Sequence, residues 1–254
     1  MKIKVLASGS KGNSTYIENN NTKILIDAGI NYQTIQKELQ KINEDINNID
    51  AIIISHIHSD HLKGLKSIIK HKIIPVYIRK ELKNEIKKII DEEYINIIDE
   101  YFKINDLYIE ILHVSHDVPN FGFIINNLNN SVVYITDTGY INKKNIEKTK
   151  NKTIYIIEAN HNEKMLMEGK YPYILKQRVL SDEGHLSNRY TGRYLNTVIG
   201  TNTKYIILAH LSENNNTNEL AYKEVKEELQ DKNFNNKNIL IAQQKNGSEM
   251  VSIW

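Results

Sequence analysis

His56, His58, Asp60 and His61 fall within six residues, immediately after the apolar run Ile52-Ile53-Ile54 and Ser55. Neutral imidazole is the commonest metal ligand in proteins, so this stretch reads as part of a metal site. The apolar run predicts a buried strand, and the polar cluster begins where that strand leaves the core for solvent. In extended chain His56 and His58 point to the same side, because side-chain direction repeats every two residues. A turn after Ser59 swings Asp60 and His61 toward a second point, so the spacing predicts two metals rather than one.

Other apolar segments end the same way. Thr22 to Ile26 runs into Asp27-Ala28-Gly29, where the carboxylate is either a turn former or a partner that orients a ligating histidine. Tyr108 to Val114 leads to Ser115-His116-Asp117. His113 and His116 are an odd number of residues apart and face opposite ways on an unbroken strand, so His116, at the loop end, is the site candidate and His113 a packed or surface residue. Ser131 to Thr136 ends in Asp137, whose two oxygens suit it to bridge two cations. Thr153 to Ile157 delivers Glu158-Ala159-Asn160-His161, and Lys204 to Ala209 delivers His210. The repetition of acid or imidazole at strand ends points to one shared site. Between Ile3–Ala7 and Ser14–Glu18, the loop Ser8 to Asn13 lacks phosphate-loop spacing. It is either a hairpin turn or a loop approaching a phosphate, with Ser10 and Asn13 as the substrate contacts.

The elements that must hold these groups alternate between strand and helix patterns. Helical spacing marks Tyr32–Ile42, a short helix over Leu62–Ile69 and a charged helix over Arg79–Tyr94. Ser187 and Thr217 are placed to cap helices beginning at Asn188 and beside Leu220. Strands are predicted at Ile49–Ser55, Pro75–Ile78 and Gly122–Asn126, and again at Ile239–Ala242 and Met250–Trp254, with a turn near Asn246-Gly247. His71 is expected to face solvent. The 254 residues suffice for a sizeable core, and no linker or composition break divides them, so one domain over 1–254 is expected. The absence of cysteine restricts metal ligands to nitrogen and oxygen and excludes disulfides. No run approaches the ~18 apolar residues of a membrane span and no signal sequence is evident, so a cytoplasmic protein without a membrane partner is expected. A net charge of +2 neither demands nor forbids a nucleic-acid partner.

Together, Asp27, the HIHSDH run at 56–61, His116, Asp137 and His210 resemble the ordered motifs of the metallo-β-lactamase superfamily. The wording SGSKGNS, IDAG, SHIHSDH, SHD, ITDTG, EANH, GHLSN and LAHLSENNN is similar to the YycJ/WalJ group within it. The resemblance implies an α/β (α+β) chain folded as a four-layer αββα sandwich, with two divalent metal ions (zinc, manganese or iron) at the mouth between two sheets. It assigns His56, His58 and His116 to one metal and Asp60, His61 and His210 to the other, with Asp137 bridging and Asp27 supporting. It further implies a phosphodiesterase, a 5'-to-3' exonuclease whose substrate and partner is nucleic acid, DNA in particular, with a water shared by the metals as nucleophile. Asp60, Glu158 and His185 would be catalytic, the last two resembling the proton-donating pair of related RNA-processing nucleases, and His161 is either a substrate contact or a neighbour of the site. The competing reading is a small-substrate hydrolase of a thioester, lactone or cyclic nucleotide; a redox di-iron domain is disfavoured by His58 where such domains carry Glu.

Overall fold

The structure is a computed structural model describing residues 1–232 and 234–253. Six strands, β1 (Lys2–Ala7), β2 (Ser14–Asn19), β3 (Thr22–Ile26), β4 (Ala51–Ile53), β5 (Val76–Arg79) and β6 (Ile95–Ile98), open the chain and lie side by side in sequence order. The next seven, β7 (Tyr101–Ile104), β8 (Leu107–Val114), β9 (Asn120–Asn126), β10 (Ser131–Ile135), β11 (Ile154–Glu158), β12 (Tyr205–Ala209) and β13 (Ile239–Ile241), form the second sheet, again in sequence order. The last strand, β14 (Val251–Ser252), returns to pair with β1 and makes the first sheet seven-stranded.

Alternation along the central strands fixes the layers. Val132, Tyr134, Ile154, Ile156 and Ile207 face the first sheet in one apolar core, whereas Val133, Ile135, Tyr155, Ile157, Ile206 and Leu208 belong to a second. Helices α1 (Tyr32–Gln40), α2 (Ser59–Leu62), α3 (Leu65–His71), α4 (Lys83–Ile86), α5 (Lys143–Thr149), α6 (Glu163–Glu168), α7 (Tyr173–Leu180), α8 (Asn188–Val198) and α9 (Asn218–Glu228) complete the chain. Ile35 and Leu39 of α1 and Leu65 and Ile68 of α3 join the core on the first sheet, while Leu195 of α8 and Ala221 and Val225 of α9 cover the outer face of the second. The result is an αββα sandwich. Asn31, Ser187 and Thr217 cap α1, α8 and α9 by accepting from Thr34, Tyr190 and Leu220 amides.

Pairing explains where the site lies. Strands β3, β4 and β5 are mutually parallel, as are β10, β11 and β12, with Ile157 opposite Leu208 and Glu158 opposite Ala209. Parallel neighbours leave their sheet at the same edge, so their carboxyl-terminal residues converge.

Three sequence expectations need correction. The continuous helix over Arg79–Tyr94 is instead a 3₁₀ turn, the four-residue α4 and another 3₁₀ turn. A helix of that length would rise about 24 Å, whereas the chain must return to start β6 parallel to a β5 of four residues. Lys83 and Lys87 fold back onto Glu92 at 2.6 and 2.7 Å. The helix over Leu62–Ile69 is split at Gly64, whose amide reaches the Ala28 carbonyl at 2.8 Å and where a Cβ would lie 1.9 Å from the Ile30 carbonyl oxygen. The final two strands do not form a hairpin: β13 and β14 lie in different sheets. Gly247, in left-handed backbone, lies where a Cβ would meet the Val5 carbonyl, so the closing segment docks on β1 instead. Trp254, in the predicted last strand, lies outside the described residues. His71 is exposed, as expected, and stacks on Tyr32.

Candidate metal centre

The site assembles from strand ends. Asp27 follows β3, Ser55 to His61 follow β4, His116 follows β8, Asp137 follows β10, Glu158 closes β11 and His210 follows β12. Asp27, Asp137 and His210 have φ of 63°, 57° and 53°, the left-handed region that non-glycine residues avoid. The other non-glycine residues there, among those described, are all asparagines, which tolerate that backbone in turns. Each of the three site exceptions turns the chain sharply as it leaves its strand. Such backbone costs on the order of 1–3 kcal/mol and persists where its surroundings over-determine it.

Two clusters hold the predicted ligands, and a third group of donors, Asp137, Glu158, His185 and His210, overlaps the second. The first brings together His56, His58 and His116, and the second Asp60, His61, Asp137 and His210. In the second, Asp137 Oδ2 lies 3.2 Å from His61 Nε2 and Asp137 Oδ1 lies 3.3 Å from His210 Nε2. Asp60 Oδ2 stands 3.6 Å from each of the same two nitrogens. The seven side chains predicted from sequence as metal ligands all lie in these two clusters, and His113 lies outside both, exposed and 2.8 Å from Glu100.

Hydrogen bonds decide which imidazole nitrogen each histidine offers. Asp27 Oδ2 binds His61 Nδ1 at 2.7 Å, Glu158 Oε1 binds His210 Nδ1 at 2.9 Å, and His56 Nδ1 meets Ser55 Oγ at 3.0 Å. Each leaves Nε2 facing the cluster. His116 Nδ1 likewise reaches the Glu183 carbonyl at 3.1 Å. His58 is reversed: its Nε2 lies 3.3 Å from Asp117, and its Nδ1 faces His116 Nε2 at 3.3 Å. Among the described residues, the buried atoms His56 Nε2, Asp137 Oδ2 and His210 Nε2 have no hydrogen-bond partner. Buried polar atoms are rarely orphaned, and these three point into a nest of nitrogen and oxygen donors. The residues fit divalent cations.

The two clusters differ in protonation. Burial pushes the His56 and His116 imidazoles below their usual value. Burial works the same way on His61 and His210, but carboxylates outweigh it: Asp27 and Asp137 hold His61 up to about 10, and Asp137, Asp60 and Glu158 hold His210 well above the usual range. Against its own burial, Asp137 is held well below the carboxylate range by His210 and His61. Glu158 is likewise lowered, to about 2, despite complete burial, because His185 and His210 both contact it.

His185, expected beside Glu158, meets it at 2.7 Å through Nδ1 and lies 3.9 Å from Asp137. The same carboxylate accepts from the Thr138 amide at 3.0 Å. His185 lines a cavity of 190 Å³ together with His116, His210 and Ser10. The other two expected substrate contacts stand elsewhere. Asn13 is buried, its Oδ1 accepting from the Gly9 amide at 2.8 Å and its amide donating to Asp60 Oδ2 at 3.1 Å, so it braces a ligand from beneath. His161 is buried at 1 % exposure under a bridge to Ser187 and does not line the cavity. Asn13 packs inward because its polar groups bind protein rather than solvent, whereas both ring nitrogens of the buried His161 lack a hydrogen-bond partner among the described residues.

Some supporting residues escaped sequence reasoning. Ser55 Oγ reaches both Asp27 oxygens at 2.8 and 3.0 Å, and Ser8 Oγ accepts from the His210 amide at 2.7 Å. Asp117 ties His58 to Arg178. Ser55 and Asp117 each adjoin a predicted ligand, and that adjacency was the available signal; Arg178 had none.

Comparison with known proteins agrees with this geometry. The sequence model of the beta-lactamase superfamily domain matches residues 22–211. Exodeoxyribonuclease YycJ of Bacillus anthracis is 35 % identical over 241 residues, 92 % of this chain and 91 % of its own. Exodeoxyribonuclease WalJ of Streptococcus pneumoniae is 36 % identical over 233 residues, 87 % and 85 % of the two chains. The metallo-β-lactamase fold protein YhfI from Bacillus subtilis superposes with a TM-score of 0.76 at 19 % identity, over 98 % of both chains. With its sandwich, its strand-end donors and these relatives, the chain belongs to the metallo-β-lactamase superfamily and is a metal-dependent hydrolase.

Proposed function

We propose that this hydrolase is a phosphodiesterase acting on nucleic acid, a DNA exonuclease working 5' to 3', with two divalent cations (zinc, manganese or iron) in the two clusters. The observation that carries the reading is the Glu158–His185 pair, 2.7 Å apart, in which the buried Glu158 backs His185 and His185 lines the same cavity as His116 and His210. Relatives named exodeoxyribonucleases, matched over most of both chains, support the DNA substrate. When bound, two such cations lower the pKa of a water and neutralise charge on a phosphoryl oxygen. The remaining work falls to side chains. Asp60, one-fifth exposed where Asp137 is buried, is the carboxylate positioned to accept a hydrogen bond from the attacking water. As the P–O bond to the departing sugar breaks, the leaving oxygen needs a proton, and an imidazolium held through Nδ1 presents Nε2–H to it. Burial lowers His185, but Glu158 outweighs burial and raises it, so Glu158 both orients the ring and supports its charged form. An acyl substrate has less need of such a donor when its leaving group is a thiolate.

The test is an assay of metal-reconstituted protein on end-labelled single- and double-stranded DNA and RNA. Stepwise loss of label from one end, abolished by chelation and restored by metal, is expected. Turnover of an acyl thioester far above any phosphodiester, or undiminished DNA cleavage by Asp137→Ala, would overturn the reading.

A further inference from the structure

Two of the clustered side chains hang from backbone that does not favour them. Asp137 and His210 stand in left-handed conformation, at φ of 57° and 53°, and neither is a glycine or an asparagine. Strain of this kind needs specific neighbours to hold it. At both residues the neighbour is a buried asparagine from the adjacent strand. Asn120, 3 % exposed, opens β9, which is antiparallel to β10 and so begins where β10 ends. Its Nδ2 donates to the Asp137 carbonyl at 2.6 Å and to the Thr136 carbonyl at 3.0 Å, and its Oδ1 accepts from the Phe121 amide at 2.8 Å. The β9–β10 ladder pairs Asn126 with Ser131 and Phe123 with Tyr134, and the same register carried on would set Asn120 opposite Asp137. The Asn120 side chain thus stands in for backbone pairing where the chain turns out of the ladder.

Asn160 acts in the same way one strand pair further on. It follows β11, which is parallel to β12, so both strands end together. Its Nδ2 donates to the His210 carbonyl at 3.0 Å, while the His210 amide donates to Ser8 Oγ at 2.7 Å. Side chains therefore hold both backbone polar groups of His210. Asn160 is itself anchored, its amide donating to the Leu186 carbonyl at 3.0 Å and its carbonyl accepting from the Ser212 amide at 2.8 Å. A side-chain amide donates to a carbonyl without adding charge beside the cluster.

We infer that Asn120 and Asn160 are positioning residues, which lock the backbone of Asp137 and His210 so that both side chains face the donor nest before a cation arrives. The inference rests on the reading that the clusters hold two divalent cations, and adds the groups that preorganise them. With Asp137 bridging and His210 serving one cation, the two asparagines differ in reach: Asn120 supports both cations, Asn160 only the one shared with Asp60 and His61.

The test uses zinc alone as the probe, on the full chain. Zinc-saturated protein is dialysed against graded chelator and its retained zinc counted, and thermal unfolding is followed with and without zinc. Asn160→Ala is expected to weaken one of two zinc ions about tenfold or more, the scale of losing a group that supports a ligand, and to leave the other unchanged. Asn120→Ala is expected to weaken both. A role in the fold alone would lower the melting temperature of the metal-free and zinc-bound forms equally, whereas a positioning role shrinks the rise that zinc produces. Where an alanine variant fails to fold, Asn120→Leu or Asn160→Leu restores the volume without the donor. Zinc held undiminished by the variants, or an equal melting loss in the two forms, would overturn the inference and leave the metal reading standing. An unaltered protein that retains no zinc would overturn both.

Discussion

The two halves of the metal centre are built from the same residue types but on different foundations. The His56–His58–His116 half stands toward the opening: His58 is 30 % exposed, and its outer nitrogen rests on Asp117, itself 28 % exposed. The His61–His210 half is sunk among carboxylates, with Asp27 and Glu158 fully buried behind the two rings and Asn13 behind Asp60. A carboxylate behind a ligating imidazole fixes its tautomer and raises its basicity, and it does so more strongly where water cannot compete. The buried half is therefore rich in negative charge and proton-loaded, whereas in the open half burial lowers His56 and His116.

The largest effect should come from the residue that belongs to the buried half and faces both. Asp137→Ala removes a carboxylate near His61, His210 and His185, and we expect phosphodiester turnover to fall roughly a thousandfold or more. A circular-dichroism melt should show the sandwich intact. Next is Glu158→Gln, which weakens the charge behind His185 and His210 while keeping the shape. Turnover of DNA should drop about a hundredfold or more, the scale of general-acid catalysis. The loss should shrink with a p-nitrophenyl phosphodiester, whose leaving group needs no proton. An equal loss on both substrates would assign Glu158 to metal support through His210 alone.

The proton load gives a third way to separate the halves. Metal binding requires neutral imidazole, and His61 keeps its proton up to about 10 in the protein alone, whereas His56 and His116 are lowered by burial. For the buried half, a metal must displace protons, so its affinity should rise with pH from neutrality toward 10 and level off above. For the open half the affinity should be flat over the same range. Titrating chelator-stripped protein with zinc by calorimetry, in buffers of different ionisation enthalpy, should resolve one proton-releasing and one proton-silent phase. A single phase without buffer dependence would remove this distinction.

The same contrast governs how much the sequence disclosed. The clustered side chains were legible because each sits where an apolar strand gives out, and strand ends are visible as the switch from Ile-rich runs to acid or imidazole. The sandwich was legible through the motif order more than through patterning: fully buried parallel strands such as β11 read clearly, while β6 and β7, short and half-exposed, were hidden inside or beside a run of charged residues. Asp27 was ambiguous, since a carboxylate before Ala-Gly fits a turn as well as a histidine partner. Only the packing of β3 against β4 places it 2.7 Å from His61. Asn13 and His161 are both buried, which polarity in a loop does not suggest, because burial is a tertiary property. Helix α7 has little helical periodicity and is held by contacts distant in sequence, such as Arg178 with Asp117, which no local pattern encodes.

The smallest effects should lie in the partners behind the rings, and they should still rank by burial. Asp27→Asn keeps the volume but removes charge from a fully buried group that accepts from His61 and Ser55 and receives the Tyr134 hydroxyl at 3.3 Å. Loss of such a partner typically costs about 10- to 100-fold in metal affinity. Asp117→Asn removes an equivalent partner from His58, but one in contact with water and shared with an exposed Arg178, where solvent replaces much of the lost interaction. Its cost should be no more than about threefold, near the floor for an exposed charge pair. Metal content after dialysis against graded chelator would read both. If Asp117→Asn lost metal as readily as Asp27→Asn, burial would not be what distinguishes the halves, and the Asp117–Arg178 pair would have to be holding His58 as firmly as the core holds His61.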